Sequence, residues 1–223
     1  MKITVIQHVA FETPGAITKW AQLHNYPLEV IRIFAEQPLP PAAAVDFLVV
    51  LGGPMSANDP EEWLVQERAL IKAVVADNKP MFGICLGAQQ LAKAFHAQIV
   101  STPKEVGWGK IQTTTLGQER LQIAPQYEVL HWHGEGFTLP ENGQRLFASQ
   151  FWKNQGFCLK RALGLQFHLE TTKETLQGVV ANDAAFVQGS VLNQDATQIA
   201  LQVPPVKNQQ LLFTLLDALV TPK

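Results

Sequence analysis

Cysteine is nearly absent from this chain: Cys85 and Cys158 are the only two in 223 residues. Two cysteines do not make the disulfide framework of a small secreted domain, and a reducing cytoplasm is the expected setting. Charge is also sparse. Charged residues make up 16%, and the 17 Lys and Arg do not outnumber the 19 Asp and Glu. No basic face is implied, so nucleic acid is not an expected partner. No apolar run approaches the ~20 residues of a membrane-spanning helix. The opening "MKITVIQHVAF" has one lysine and no small-residue cleavage site, so it reads as a first strand rather than a secretion signal. Repeats, low-complexity tracts and linkers are missing too. What remains is a globular composition, 47% hydrophobic. Its length suits a single domain over 1–223 that buries roughly 70% of the surface of its unfolded chain.

Short apolar runs alternate with amphipathic segments through the first half. Ile3–Gln7, Glu29–Phe34, Phe47–Leu51 and Met81–Ile84 read as strands. Ala16–Leu23, Glu61–Ala76 and Gly87–Phe95 read as helices between them. Strands apolar on both faces and separated by helices predict a parallel sheet. Later, Lys110–Thr115, Leu146–Ser149, Phe157–Lys160 and Gly164–His168 are strand candidates without intervening helices, which predicts antiparallel pairing. From Lys173 onward the chain reads as helical, closing with Gln209–Val220 after the break at Pro204-Pro205. The expected fold is α/β, a mainly parallel central sheet with helices on both faces and a small antiparallel extension.

Cys85 sits in "PMFGICLGAQ", at the end of a predicted strand, with glycines two residues before and after. Sites in open α/β sheets form beyond the carboxyl ends of the strands. G-x-C-x-G has the logic of a nucleophile elbow, a tight strand-to-helix turn that needs small neighbours. The helix that follows would point its N-terminus at the sulfur, favouring the attacking thiolate. A buried core thiol is the bland alternative, but a core strand gains nothing from the two glycines.

A cysteine nucleophile needs a base and a group to orient it. In "GLQFHLE", His168 ends a strand pattern and Glu170 lies two residues on, on the same side of extended chain. Glu170 can fix the tautomer of His168 and leave its other nitrogen for Cys85. His131, His133 and Glu135 in "HWHGE" alternate on one face as rival metal ligands. A lone H-x-H is a weak signal, so a metal is not expected. Acyl transfer also needs oxyanion donors. The N–H of Leu86 is one candidate, and Gly53 in "LGGPMS" a second.

G-G-P after a strand, G-x-C-x-G-x-Q at the elbow and a late F-H-x-E stand in this order. Together they resemble the class I (triad-type) glutamine amidotransferases, most closely stand-alone members similar to the amidotransferase domain of GMP synthase. The resemblance implies that Cys85 attacks the glutamine side-chain amide and forms a γ-glutamyl thioester, with His168 as base and acid and Glu170 as its orienter. It places Gly53 and Leu86 at the oxyanion and Met55 and Gln89 at the substrate. "NQGF" is matched to the segment holding the substrate's amino-acid end, through Asn154, Gly156 and Phe157. "EVGW" at Glu105–Trp108 matches a family segment near the active-site turn, with no role assigned. Leu169 stands where many members have proline, His96-Ala97 where a glycine pair is common, and Glu135 where many have aspartate. No cofactor is implied.

The chain has no G-x-x-x-x-G-K-[ST] phosphate loop. The expected activity is therefore glutamine hydrolysis with ammonia passed to a separate synthetase partner. Two alternatives stay open: a free-standing hydrolase or transferase of another γ-glutamyl compound, and a non-catalytic binding module of the same fold.

Overall fold

The computed structural model describes residues 1–221. In chain order the elements are β1 (Ile3–Gln7), α1 (Ala16–Leu23), β2 (Leu28–Arg32), β3 (Phe47–Val50), α2 (Glu62–Ala76), β4 (Met81–Ile84), α3 (Leu86–Ala94), β5 (Ile99–Thr113), α4 (Thr115–Leu121), β6 (Gln126–Phe137), β7 (Gln144–Ser149), β8 (Gly156–Leu159), β9 (Ala162–Leu165), α5 (Lys173–Asp183), α6 (Ala196–Leu201) and α7 (Val206–Val220). One nine-stranded sheet runs β2-β1-β3-β4-β9-β8-β7-β5-β6. The first five strands in that order pair in parallel, and β9-β8-β7-β5-β6 pair antiparallel.

The continuous apolar run of β3 serves two cores. Phe47 and Val49 join Ile3, Val5 and Trp20 on one face, under α1 and the Leu211–Leu219 side of α7. Leu48 and Val50 point the other way, to Leu64, Ile71, Val74 and Leu91 of α2 and α3. Alternation of a strand's side chains sends neighbours to opposite faces, so a strand covered on both needs apolar residues throughout. A third cluster packs α5 and α6 onto β5 and β6 through Val106, Trp108, Leu130, Trp132, Leu176 and Ile199.

Sequence and structure differ most in β5 and β6. Only Lys110–Thr115 is legible as a strand there, yet β5 runs from Ile99 and pairs along β6, with a register irregularity between Ser101 and Glu105. Its "STPKEVGWGK" mixes proline, glycine and charge, which hides a strand whose ladder is interrupted by a bulge. The Gly164–His168 strand also stops early, at Leu165. His168 lies beyond it and bridges to Leu130 of β6.

Candidate active site

β4 ends at Ile84 and α3 begins at Leu86, so Cys85 alone makes the turn. Its φ is 48° and ψ −107°, a left-handed backbone that L-residues rarely adopt. Such a conformation costs on the order of 1–3 kcal/mol and persists only where its surroundings enforce it. The two flanking glycines are what make the turn feasible. A Cβ on Gly83 would sit 2.6 Å from the Gly87 carbonyl oxygen, and one on Gly87 would overlap the Val50 carbonyl. The chain is closed on itself here, with Gly87 N–H donating to Leu51 O (3.1 Å) and Cys85 N–H to Leu165 O (2.8 Å).

His168 reaches the sulfur from the opposite side. Its N–H donates to Leu130 O at 2.9 Å, fixing the segment after β9 to β6. Nδ1 lies 2.7 Å from Glu170 Oε1. Nε2 has no hydrogen bond of full geometry within the protein, and the ring interacts with Cys85. Burial by itself would lower the His168 pKa, but Glu170 and Cys85 together hold it well above its ordinary value. Both neighbours thus favour the imidazolium. The carbonyl of Glu170 accepts from Ala16 N–H at 2.9 Å, at the start of α1. The three residues expected as a triad are brought together.

A cavity of about 500 Å³ opens over them, and Gly53, Met55, Cys85, Gln89, His168 and Glu170 are in its wall. The Gly53 N–H donates to no backbone carbonyl. The Leu86 N–H is one of the orphan donors of the first turn of α3. Both expected oxyanion donors therefore stand beside the sulfur without another occupation. Gln89 Nε2 donates to Glu135 O (3.2 Å) and Gln166 Oε1 (3.3 Å), and Gln166 Nε2 reaches Cys85 Sγ at 3.5 Å.

Asn154, Gly156 and Phe157 are not brought to this cavity. Asn154 donates to Phe137 O and accepts from Arg145 Nε, while Phe157 packs edge-on against Phe137 in the core. The wall expected of them is formed instead by Trp132, His133, Gly134 and Glu135 of β6. Sequence spacing cannot choose between two glycine-containing segments when the register of β6 is unknown. Glu12 was also missed, since nothing in the loop after β1 marks it. Its carboxyl lines the cavity near His168, and burial raises its pKa.

The H-x-H of β6 acquires a different third partner from the one its spacing suggests. Glu135 accepts from Ser56 Oγ at 2.8 Å. Glu105 of β5, paired in register with His133, completes a buried Glu105–His131–His133 group. Burial lowers the pKa of His131 to about 3 and raises that of Glu105 to about 7. Glu105 Oε2 accepts from Ser149 Oγ (3.0 Å) and Gln155 Nε2 (2.6 Å), and the two imidazoles hydrogen-bond each other at 3.4 Å. The group closes as a hydrogen-bonded core network. Cys158 lies in β8, beside Arg120 Nη1 at 3.2 Å, remote from the imidazoles of the cavity.

An elbow cysteine paired with a carboxylate-oriented histidine, under a substrate-sized cavity, defines an α/β protein built for cysteine-based acyl transfer. Residues 17–186 match the family model of class I glutamine amidotransferases. The glutamine amidotransferase-like protein YfeJ of Salmonella typhimurium is 32% identical over 81% of this chain and 80% of its own. A separately encoded chain of the glutamine-hydrolysing GMP synthase of Sulfurisphaera tokodaii is 28% identical over 68% of this chain and 81% of its own. The crystal structure of a glutamine amidotransferase from Methylobacillus flagellatus superposes with a TM-score of 0.91 at 26% identity, covering 98% of this chain and 94% of that one. One from Thermotoga maritima gives 0.89 at 27% identity, covering 100% and 99%. The chain belongs to the class I glutamine amidotransferase family.

Proposed function

We propose that this protein hydrolyses the side-chain amide of glutamine through Cys85, His168 and Glu170, and that the ammonia serves a separate synthetase partner. The carrying observation is the strained Cys85 turn facing an imidazole held at 2.7 Å by Glu170. The Cys85 sulfur attacks the amide carbon, and the oxyanion is met by the N–H groups of Gly53 and Leu86. The His168 imidazolium gives its proton to the departing nitrogen, so ammonia leaves and a γ-glutamyl thioester remains. Water then attacks the thioester with His168 as base, releasing glutamate and restoring the thiolate. The carboxylates of Glu12, Glu135 and Asp183 in the cavity wall suit the substrate's α-ammonium. Trp132 to Glu135 of β6 stand where the amino-acid end would lie.

Cavity size favours a second reading. About 500 Å³ is room for a drug-sized ligand rather than for glutamine alone. Phe11, Leu130, Trp132, Val179 and Phe186 add apolar wall that glutamine does not need. A γ-glutamyl conjugate with an apolar amine would fill it. The assay is release of free glutamate from glutamine and from γ-glutamyl dipeptides, with the labelled residue mapped after reaction with a glutamine-like electrophile. Turnover of glutamine supports the first reading, and turnover of conjugates alone the second. Labelling of Cys158 in preference to Cys85 would overturn both.

A further inference from the structure

A fully buried acid–base pair lies behind the oxyanion loop, outside the triad. His8, just after β1, and Glu67, in α2, are 1% and 0% exposed. His8 Nε2 lies 2.8 Å from Glu67 Oε2, and His8 Nδ1 lies 2.8 Å from the carbonyl oxygen of Gly52. That carbonyl can only accept, so Nδ1 carries the proton. Glu67 Oε1 in turn accepts from Gln90 Nε2 at 2.9 Å, and Gln90 Oε1 accepts from Arg68 Nη1 at 2.8 Å. Gln90 belongs to α3, the helix whose first turn carries Leu86.

The Gly52 carbonyl and the Gly53 N–H are the two ends of one planar trans peptide, and they point in opposite directions. Fixing the oxygen on His8 therefore aims the N–H away from His8, toward the cavity that Gly53 lines. Glycines on both sides leave this peptide free to rotate, and only an outside contact can set its plane. A bare hydrogen bond to a buried imidazole would itself be free to slip. Glu67 removes that freedom by holding the far nitrogen, and Gln90 ties Glu67 to the elbow helix.

We propose that His8 and Glu67 are positioning residues for the oxyanion hole: they orient the Gly52–Gly53 peptide and lock its N–H in register with that of Leu86. The inference rests on the reading of Cys85 as the nucleophile. Neither side chain touches the substrate. Their effect is confined to the tetrahedral state, where charge develops on the oxygen, and ground-state binding is untouched.

The test exploits the geometry of amide side chains. In His8→Asn the side-chain nitrogen falls near the position of Nδ1 and can still donate to Gly52. In His8→Gln it falls near Nε2 and meets Glu67 instead. Steady-state glutamine hydrolysis is measured for both, together with binding of glutamate and of the glutamine analogue bearing an aldehyde in place of the amide. The aldehyde forms a tetrahedral adduct with Cys85 and places an oxyanion in the hole. His8→Gln is expected to lower kcat by roughly 10- to 100-fold, a part of the 10²–10³ that loss of an entire donor costs. KM and glutamate affinity stay within about twofold, and aldehyde affinity falls in proportion to kcat. His8→Asn retains most of both. Equal losses in the two variants, or a loss carried by KM, would overturn the positioning role. Circular dichroism checks folding, and His8→Asn controls for loss of the imidazole itself. Wild-type protein that neither turns over glutamine or a γ-glutamyl dipeptide nor binds the aldehyde would overturn the proposed function, and this inference with it.

Discussion

Gly87→Ala sets two effects of known size against each other. In a helix, alanine is favoured over glycine by about 1 kcal/mol. Against this, the new Cβ would overlap the Val50 carbonyl oxygen, lie 2.7 Å from its carbon and 2.9 Å from the Val50 Cβ. Ordinary contact starts at 3.4 Å, so relief from the carbon alone needs a movement of 3.4 − 2.7 = 0.7 Å. Both partners are backbone, α3 on one side and β3 on the other, and no flexible side chain can yield. Overpacking of this kind costs about 1–3 kcal/mol and more where rigid elements meet. The clash therefore wins, with a net loss of about 2 kcal/mol. For a chain of this size that lowers Tm by roughly 4–8 °C. The displaced α3 carries Cys85 and Leu86 with it, and a shift approaching 1 Å at reacting groups can cost on the order of 10²-fold in rate. Thermal unfolding by circular dichroism and steady-state glutaminase kinetics read the two effects. Gly134→Ala is the control, since its Cβ would have nothing nearer than 3.7 Å; its Tm should stay within about 2 °C of wild type, as for a substitution worth under 0.5 kcal/mol. A Gly87→Ala protein with unchanged Tm and full turnover would refute the account of the elbow.

Three further substitutions probe the site. Glu170→Gln removes the carboxylate that favours the His168 imidazolium, so kcat/KM should fall roughly 10²- to 10⁴-fold and the apparent pKa of the histidine should drop; an unshifted pH profile would exclude the pairing. Glu105 has its pKa raised from 4.5 to about 7 by burial, so the native state holds a proton that the unfolded chain has released. Its contribution is intact below pH 4.5 and is lost as pH rises through 7, a loss of up to about 3 kcal/mol. Glu105→Gln should then be more stable than wild type at pH 8 and equal to it at pH 4, as read by urea midpoints; parallel pH curves would contradict this. Cys85→Gly and Cys85→Ala both lack the sulfur, but only glycine suits a φ of 48°. The glycine variant should unfold higher by about 1 kcal/mol, against the usual order, and thermal scans ranking alanine first would show that the turn is unstrained.

The sequence carried the first half of the fold almost residue by residue, because β1, α1 and β4 are bounded by sharp changes of apolar period. The elbow was legible for the same reason: Gly83 and Gly87 mark a close approach that leaves a trace in sequence. β6 left little trace. Its residues look like any mixed polar segment until pairing with β5 assigns them faces, which is why Asn154–Phe157 and Trp132–Glu135 could not be told apart.

Sequence alone determined the chemistry on offer: a cysteine on a tight turn, a histidine with a carboxylate two residues away, and backbone donors free of side chains. These are local facts, fixed by residue type and spacing. Only the tertiary structure decided who meets whom. His168 and Cys85 are 83 positions apart in sequence, and it is the β4–β9 pairing and the bridge from His168 to Leu130 that close the gap. Glu105 replaced Glu135 beside the histidine pair because strand register, not spacing, sets cross-strand neighbours. His8 and Glu67 met behind the oxyanion loop for a like reason. Long-range contacts of this sort carry no signature in a single chain, since each partner would be an ordinary polar residue without the other.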